Sequence, residues 1–129
     1  MLASLSEELG YPATETEMVQ RLSALAASPD DAVFVAVLGL APVAWIHVAI
    51  ATLLESPRHA EIRGLVVTGA LRGRGIGAQL VAHAEEWARA RGVARVRVRS
   101  NLLRERAHAF YERLGYAVAK SQKVFDKRL

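Results

Sequence analysis

An α+β fold with the element order ααβββαβαβ is what this 129-residue sequence predicts. Three observations carry that reading. Residues 32–54 contain no Asp, Glu, Lys or Arg, yet turn chemistry at Gly39 and Pro42 divides them, which suits a hairpin of two buried strands. Ile76, Leu80, Ala84, Trp87 and Ala88 recur at helical spacing. Residues 94–100 alternate, with Val96 and Val98 on one face and Arg95, Arg97 and Arg99 on the other, the period of a half-buried strand.

Taken in order, Leu2, Leu5 and Leu9 share one helical face, and Gly10-Tyr11-Pro12 ends that helix. Thr14 and Glu17 stand at capping-box spacing ahead of a second helix with Met18, Leu22 and Leu25 as its apolar stripe, closed by Ser28-Pro29-Asp30-Asp31. The hairpin strands fall near 32–38 and 43–54. A loop at 55–58 then leads to a third strand over 60–68. The long helix follows a glycine-rich stretch, and Gly92 is placed to end it. After the Arg-rich strand comes a short helix with Ala107, Phe110, Tyr111 and Leu114 on its apolar face and Gly115 as its stop. Residues 116–125 read as a final strand. No repeat or linker divides the chain, so one domain over 1–129 is expected.

Composition narrows the class. Apolar residues make up 52% and charged residues 23%, which excludes a disordered or fibrous chain. The absence of cysteine excludes disulfides, thiolate metal sites and a cysteine nucleophile. The net charge of +4 conceals an asymmetry: residues 1–57 carry seven acidic groups and one basic, a balance of −6, while residues 58–129 carry sixteen basic and six acidic, a balance of +10. No basic segment precedes an apolar one at the N-terminus, so a cytoplasmic location is expected. The uncharged stretch is long enough to cross a bilayer, but its Gly and Pro argue against a membrane helix. No His, Asp and Glu cluster has metal-ligand spacing, so no metal is expected.

Arg72-Gly73-Arg74-Gly75-Ile76-Gly77 lies between a strand and the start of the long helix. A helix N-terminus leaves about four N–H groups unpaired and carries about half a positive charge, so glycines there let an anion, phosphate above all, approach the backbone. Gly73, Gly75 and Ala78 also satisfy the dinucleotide fingerprint, but no acidic residue closes the next strand, and no Gly-Lys-Ser/Thr marks a P-loop.

Leu65-Val66-Val67, the loop from Arg72 to Leu80, Asn101, and the run from Ala107 to Tyr116 together resemble the GNAT superfamily of N-acetyltransferases, related to histone acetyltransferases. Arg72, Gly75 and Gly77 match its R/Q-x-x-G-x-G/A motif. The resemblance spans nearly the whole chain and implies a mixed, mostly antiparallel sheet flanked by helices. It implies acetyl-CoA as co-substrate, with the pyrophosphate on the backbone of Gly73, Arg74, Gly75, Ile76, Gly77 and Ala78, and Arg72 and Arg74 as charge partners. The chain departs from the pattern by starting in the first helix, without the usual first strand, and by Gly69 where proline is common.

An amine with a pKa of about 10.4 is neutral in roughly 1 in 2,500 molecules at pH 7, so removing its proton is worth up to about 4.6 kcal/mol. Glu61 is similar in position to the base carboxylate of histone-acetyltransferase members and is expected to act through water; it also reads as a carboxylate paired with Arg63. His47 is a second candidate base, although a His in an apolar strand is more often a satisfied core residue. The resemblance gives the bulged strand at Leu65, Val66 and Val67 two tasks: N–H donation to the reacting carbonyl and pairing with the pantetheine arm. Tyr111 matches the family tyrosine that assists departure of the thiolate, while the bare sequence reads it as core. Asn101 reads as a helix cap or a cofactor contact. His83 and His108 read as surface or packing residues.

The expected function is therefore acetyl transfer from acetyl-CoA to a primary amine by direct attack in a ternary complex. Two alternatives stand beside it: a family member that binds acetyl-CoA without transferring the acetyl group, and a nucleic-acid-binding module prompted by the seven arginines from Arg89 to Arg106. That region has no helix-turn-helix or zinc-finger pattern, which makes nucleic acid the weakest partner. The acidic first half suits a cationic acceptor such as a polyamine, an aminoglycoside or a protein lysine, and assembly into a homodimer stays open.

Overall fold

The computed structural model describes residues 15–71, 73–99 and 105–129. Helix α1 (Glu15–Ala26) precedes strands β1 (Asp31–Leu38), β2 (Ala41–Ala51) and β3 (His59–Val67). A 3-10 turn at Gly69–Leu71 leads to helix α2 (Ile76–Ala90), strand β4 (Val96–Val98) and helix α3 (Glu105–Arg113). The strands form one sheet in the order β1-β2-β3-β4, antiparallel except for the parallel β3–β4 pair. It is the mixed, mostly antiparallel sheet that the sequence implies. The expected first helix, with Leu2, Leu5 and Leu9, and the Thr14 cap lie outside the described residues.

The chain falls into two compact units, Met1–Val98 and Arg99–Leu129, each described by itself. In the first, α2 packs on β1, β2 and β3. Its buried Leu80, Val81, Ala84 and Ala88 cover one face of the sheet, where Ala44, Ile46, Val48 and Ala60 are fully enclosed and Ile62 nearly so. Strand side chains alternate between faces, so the partners of those residues in sequence, Trp45, His47 and Ala49 on β2 and His59 and Glu61 on β3, belong to the opposite face. The predicted hairpin is present, turning at Gly39 with φ +64.

Helices α2 and α3 stop as glycine predicts. Gly92 at φ +78 donates to Arg89 O and Val93 donates to Ala88 O, while Gly115 at φ +94 donates to Glu112 O and Tyr116 to Tyr111 O. These are paired Schellman bonds that satisfy otherwise orphaned carbonyls.

Two strand expectations need correction. The strand expected over 94–100 is regular only at Val96–Val98. The final strand expected over 116–125 is absent: residues 116–129 have no regular structure. Alternation makes a strand only where a ladder accepts its backbone, and among the described residues no strand pairs with this segment. Val118, Val124 and Phe125 are correspondingly exposed.

Candidate active site

The glycine stretch forms a cradle at the start of α2. Gly73 has φ +83, and Gly75, the helix N-cap, has φ +80, so both occupy the left-handed region that glycine enters without strain. A Cβ built on either residue meets nothing within 4 Å, so open space lies over the loop. The first-turn amides of Ile76, Gly77 and Ala78 have no carbonyl one turn earlier to receive them, and no acidic residue occupies that turn. An open, donor-rich backbone at the positive end of a helix fits a pyrophosphate. Arg74 is exposed beside it, and Arg72 lies outside the described residues.

Strand β3 leads toward that cradle, and beyond Ile62 no described strand pairs with one of its edges. Its parallel ladder to β4 joins only Ala60, Ile62 and the intervening Glu61 to Val96, Val98 and Arg97. On the other edge the register with β2 slips between His47 and Val48, which face Gly64 and Ile62, so Arg63 is the extra residue of a β-bulge. The Thr68 N–H donates to Val43 O at 2.9 Å. Because antiparallel bonding alternates, Val66 then bonds toward β2 while the N–H and C=O groups of Leu65 and Val67 point to the edge beyond Ile62. Among the described residues no strand occupies that edge. The bulge therefore falls just before Leu65, Val66 and Val67, where the resemblance anticipates one.

The sheet face opposite α2 carries a polar network. His47 Nε2 lies 2.7 Å from Asp31 Oδ1, and Ser28 Oγ donates to Asp31 Oδ2 at 2.7 Å. Arg63 spans from Asp31 at 4.0 Å to Glu61 Oε1 at 3.4 Å. His59 Nε2 contacts Glu61 Oε2 at 3.2 Å. Burial works to raise the Asp31 pKa, but the hydrogen bonds from His47 and Ser28 and the charges of His47 and Arg63 outweigh it and hold the carboxyl below its ordinary value. Glu61 is buried and paired with Arg63, as its bland reading required. His47 is satisfied by Asp31, also as its bland reading required.

In the second unit Tyr111 sits on α3 between two rings, edge-on to Phe110 at 5.1 Å and to Tyr116 at 5.8 Å between centroids. Burial pushes its phenol up to about 12. Asn101 lies outside the described residues. Among the described residues no three His, Cys, Asp or Glu side chains gather for a metal, and no helix is long and apolar enough to cross a membrane.

Sequence reasoning passed over His59 and Asp31. His59 was legible: residues two apart on a strand share a face, so His59-Ala60-Glu61 places imidazole beside carboxylate. Asp31 was not, because it meets His47 only through the β1–β2 register.

Comparison with known proteins identifies the class to which this sheet and glycine cradle belong. The model of the Acetyltransferase (GNAT) family matches residues 1–116, and the chain belongs to that family. It is 48% identical over 56 residues to the aminoalkylphosphonate N-acetyltransferase of Salmonella typhimurium, covering 43% of this chain and 36% of that one. The matches span 25% to 46% of the length of the curated relatives. Among solved structures, the aminoglycoside N-acetyltransferase AAC(6')-Iy in complex with CoA superposes with a TM-score of 0.88 at 16% identity, covering 99% of this chain and 87% of that one. The aminoglycoside antibiotic 6'-N-acetyltransferase AAC(6')-IG of Acinetobacter haemolyticus gives 0.78 at 20% identity, covering 91% and 83%.

Proposed function

We propose that this protein is an acetyl-CoA-dependent N-acetyltransferase that acts by direct attack of a primary amine in a ternary complex, in the cytoplasm. One observation carries the reading: the unpaired edge of β3 at Leu65 and Val67 runs into the open cradle of Gly73 and Gly75. An extended thioester arm needs main-chain partners and its pyrophosphate needs N–H donors, and here the two lie in sequence along one chain. Bound acetyl-CoA supplies an activated acyl carbon and a thiolate leaving group.

The residues then have separate tasks. The backbone from Gly73 to Ala78 holds the pyrophosphate, with Arg72 and Arg74 balancing charge and Asn101 contacting the cofactor. The outward N–H groups of Leu65 and Val67 donate to oxygen as negative charge develops on it, and Val66 keeps the strand anchored to β2. Glu61 accepts the amine proton through water. Tyr111, with its phenol near 12, remains a donor at neutral pH. A thiol of about 8.5 is the stronger acid, so Tyr111 steadies the departing thiolate by a hydrogen bond rather than by full proton transfer.

The acceptor is a cationic amine. Asp31 and Glu61 place carboxylates on the face opposite α2, and residues 1–57 carry the balance of −6. The names of the relatives, aminoalkylphosphonate and aminoglycoside N-acetyltransferases, agree with an amine acceptor.

Thermal melting with acetyl-CoA, followed by thiol release across a panel of amines, tests the proposal. Acetyl-CoA at 100 times its Kd is expected to add about 2.7 kcal/mol. No shift at millimolar acetyl-CoA removes the central claim, and a shift without thiol release for any amine removes the transferase step.

A further inference from the structure

We propose that His59 and Glu61 share one proton and act together as a single base, with His59 positioning and completing the carboxylate that receives the amine proton. The catalytic half rests on the transferase function proposed above; the proton sharing is a property of the resting protein.

Positions 59 and 61 of β3 present their side chains to one face, and both are enclosed, His59 at 2% and Glu61 at 7% exposure. The His59 ring has two polar neighbours. Nδ1 lies 3.0 Å from the carbonyl oxygen of Pro57, and Nε2 lies 3.2 Å from Glu61 Oε2. A carbonyl oxygen can only accept, so Nδ1 carries a hydrogen and Pro57 sets the tautomer. In the neutral ring Nε2 is then a bare lone pair facing the lone pairs of a carboxylate oxygen. Two acceptors at that distance, largely screened from water, repel. A second proton removes the conflict, either on Nε2 as imidazolium donating to carboxylate or on Oε2 as carboxyl donating to imidazole. Both forms use the same heavy-atom positions, so the geometry holds one proton between the two groups.

Arg63 addresses the other carboxylate oxygen, Oε1, from the bulge of β3. Asp31 on β1 is shared between Arg63 and His47 of β2. Arg97 stands at the register of Glu61 on β4.

The arrangement matters for base strength. A solitary carboxylate, at about 4.3, is poorly matched to an ammonium near 10.4, and proton transfer is most effective when the acceptor works near the ambient pH. In the pair that has lost its shared proton, the ammonium N–H bond breaks and its electrons stay on nitrogen as the nucleophile. The proton settles between Oε2 and Nε2, and its later release to water restores the pair.

Nuclear magnetic resonance of the ligand-free protein, with 15N histidine and 13C glutamate labels, reads the sharing directly from pH 5 to 9. The expected result is a His59 Nδ1 protonated throughout, with Nε2 and the Glu61 carboxyl carbon moving in the same single step. A bare Nδ1, or ring and carboxyl moving in separate steps, overturns the proposal. His59→Gln then tests the catalytic role, since an amide can donate to Glu61 but cannot take its proton. Its kcat at pH 7 is expected to fall by about tenfold or more, with the KM for acetyl-CoA within about twofold, and the acid limb of kcat/KM to move down by about one pH unit. A variant that melts lower but keeps the wild-type pH profile overturns the positioning role. A dyad visible by resonance in a protein that acetylates no amine overturns the transferase function instead, leaving the proton sharing in place.

Discussion

Tyr111 illustrates how one environment bears on both stability and the role proposed for the residue. Its phenol titrates near 12 in the folded protein against 10.0 for the free side chain, because burial disfavours the phenolate. A raised value means that the contribution is fully present below pH 10 and is lost as pH rises from 10 through 12. Tyr111→Phe is therefore expected to reduce the loss of stability in that alkaline window, followed by urea midpoints. It is also expected to lower turnover by about 100-fold at neutral pH, with acetyl-CoA affinity retained. Unchanged turnover would remove Tyr111 from the mechanism. Asp31 has the opposite sign. Held below 3.8, its carboxyl contributes stability above that pH and loses it as pH falls through the folded value. Asp31→Asn should be less stable than wild type at pH 7, and the gap should close on acidification below 3.8; a pH-independent gap would contradict the ion-pair account. At Gly64 the limit is steric. A Cβ there would stand 2.6 Å from Cζ3 of Trp45, so Gly64→Ala is expected to cost about 1–3 kcal/mol in denaturant unfolding as the indole is displaced.

Two helix-associated glycines separate a binding element from a mere turn. Gly75 begins α2 at φ +80 and Gly92 ends it at φ +78, and a Cβ at either meets open space. Gly75→Ala and Gly92→Ala should therefore cost similar stability, about 1–2 kcal/mol each for a left-handed L-residue. Only Gly75→Ala should weaken acetyl-CoA binding, measured by calorimetry, because its Cβ would enter the space over the cradle. Equal affinities in the two variants would reduce the loop to a turn. Strand β3 makes the complementary point: its ladder to β4 stops at Ile62 while the strand runs on to Val67. An unpaired strand edge is ordinarily an aggregation hazard, and the co-substrate arm proposed above to pair with it would turn the hazard into a binding surface.

Across the whole chain, charge divides the work. The half with a balance of +10 contains the glycine cradle proposed for a phosphate-rich co-substrate, and the half with −6 supplies Asp31 to the polar face. For the cationic acceptor proposed above, long-range attraction is expected and should weaken with salt. In a substrate panel, kcat/KM for polyamines or aminoglycosides is expected to exceed that for neutral and acidic amines, and the advantage to shrink between low and physiological ionic strength. A salt-independent preference, or a preference for acidic acceptors, would count against this reading.

Sequence by itself determined the elements that local periodicity and turn chemistry specify: the hairpin around Gly39, β3, α2 with its stripe, the glycine cradle, and the Schellman stops at Gly92 and Gly115. Each depends on neighbours within a few residues, so spacing alone reports it. It failed over 116–125, where alternation was read as a strand although a strand exists only when a distant backbone pairs with it. Tertiary structure alone decided the register that brings Asp31 to His47, the bulge at Arg63 that shifts the pairing of Gly64 and the residues after it, and the end of the β3–β4 ladder at Ile62. Those are non-local pairings between segments tens of residues apart, and they convert a carboxylate and a run of apolar residues into a candidate site.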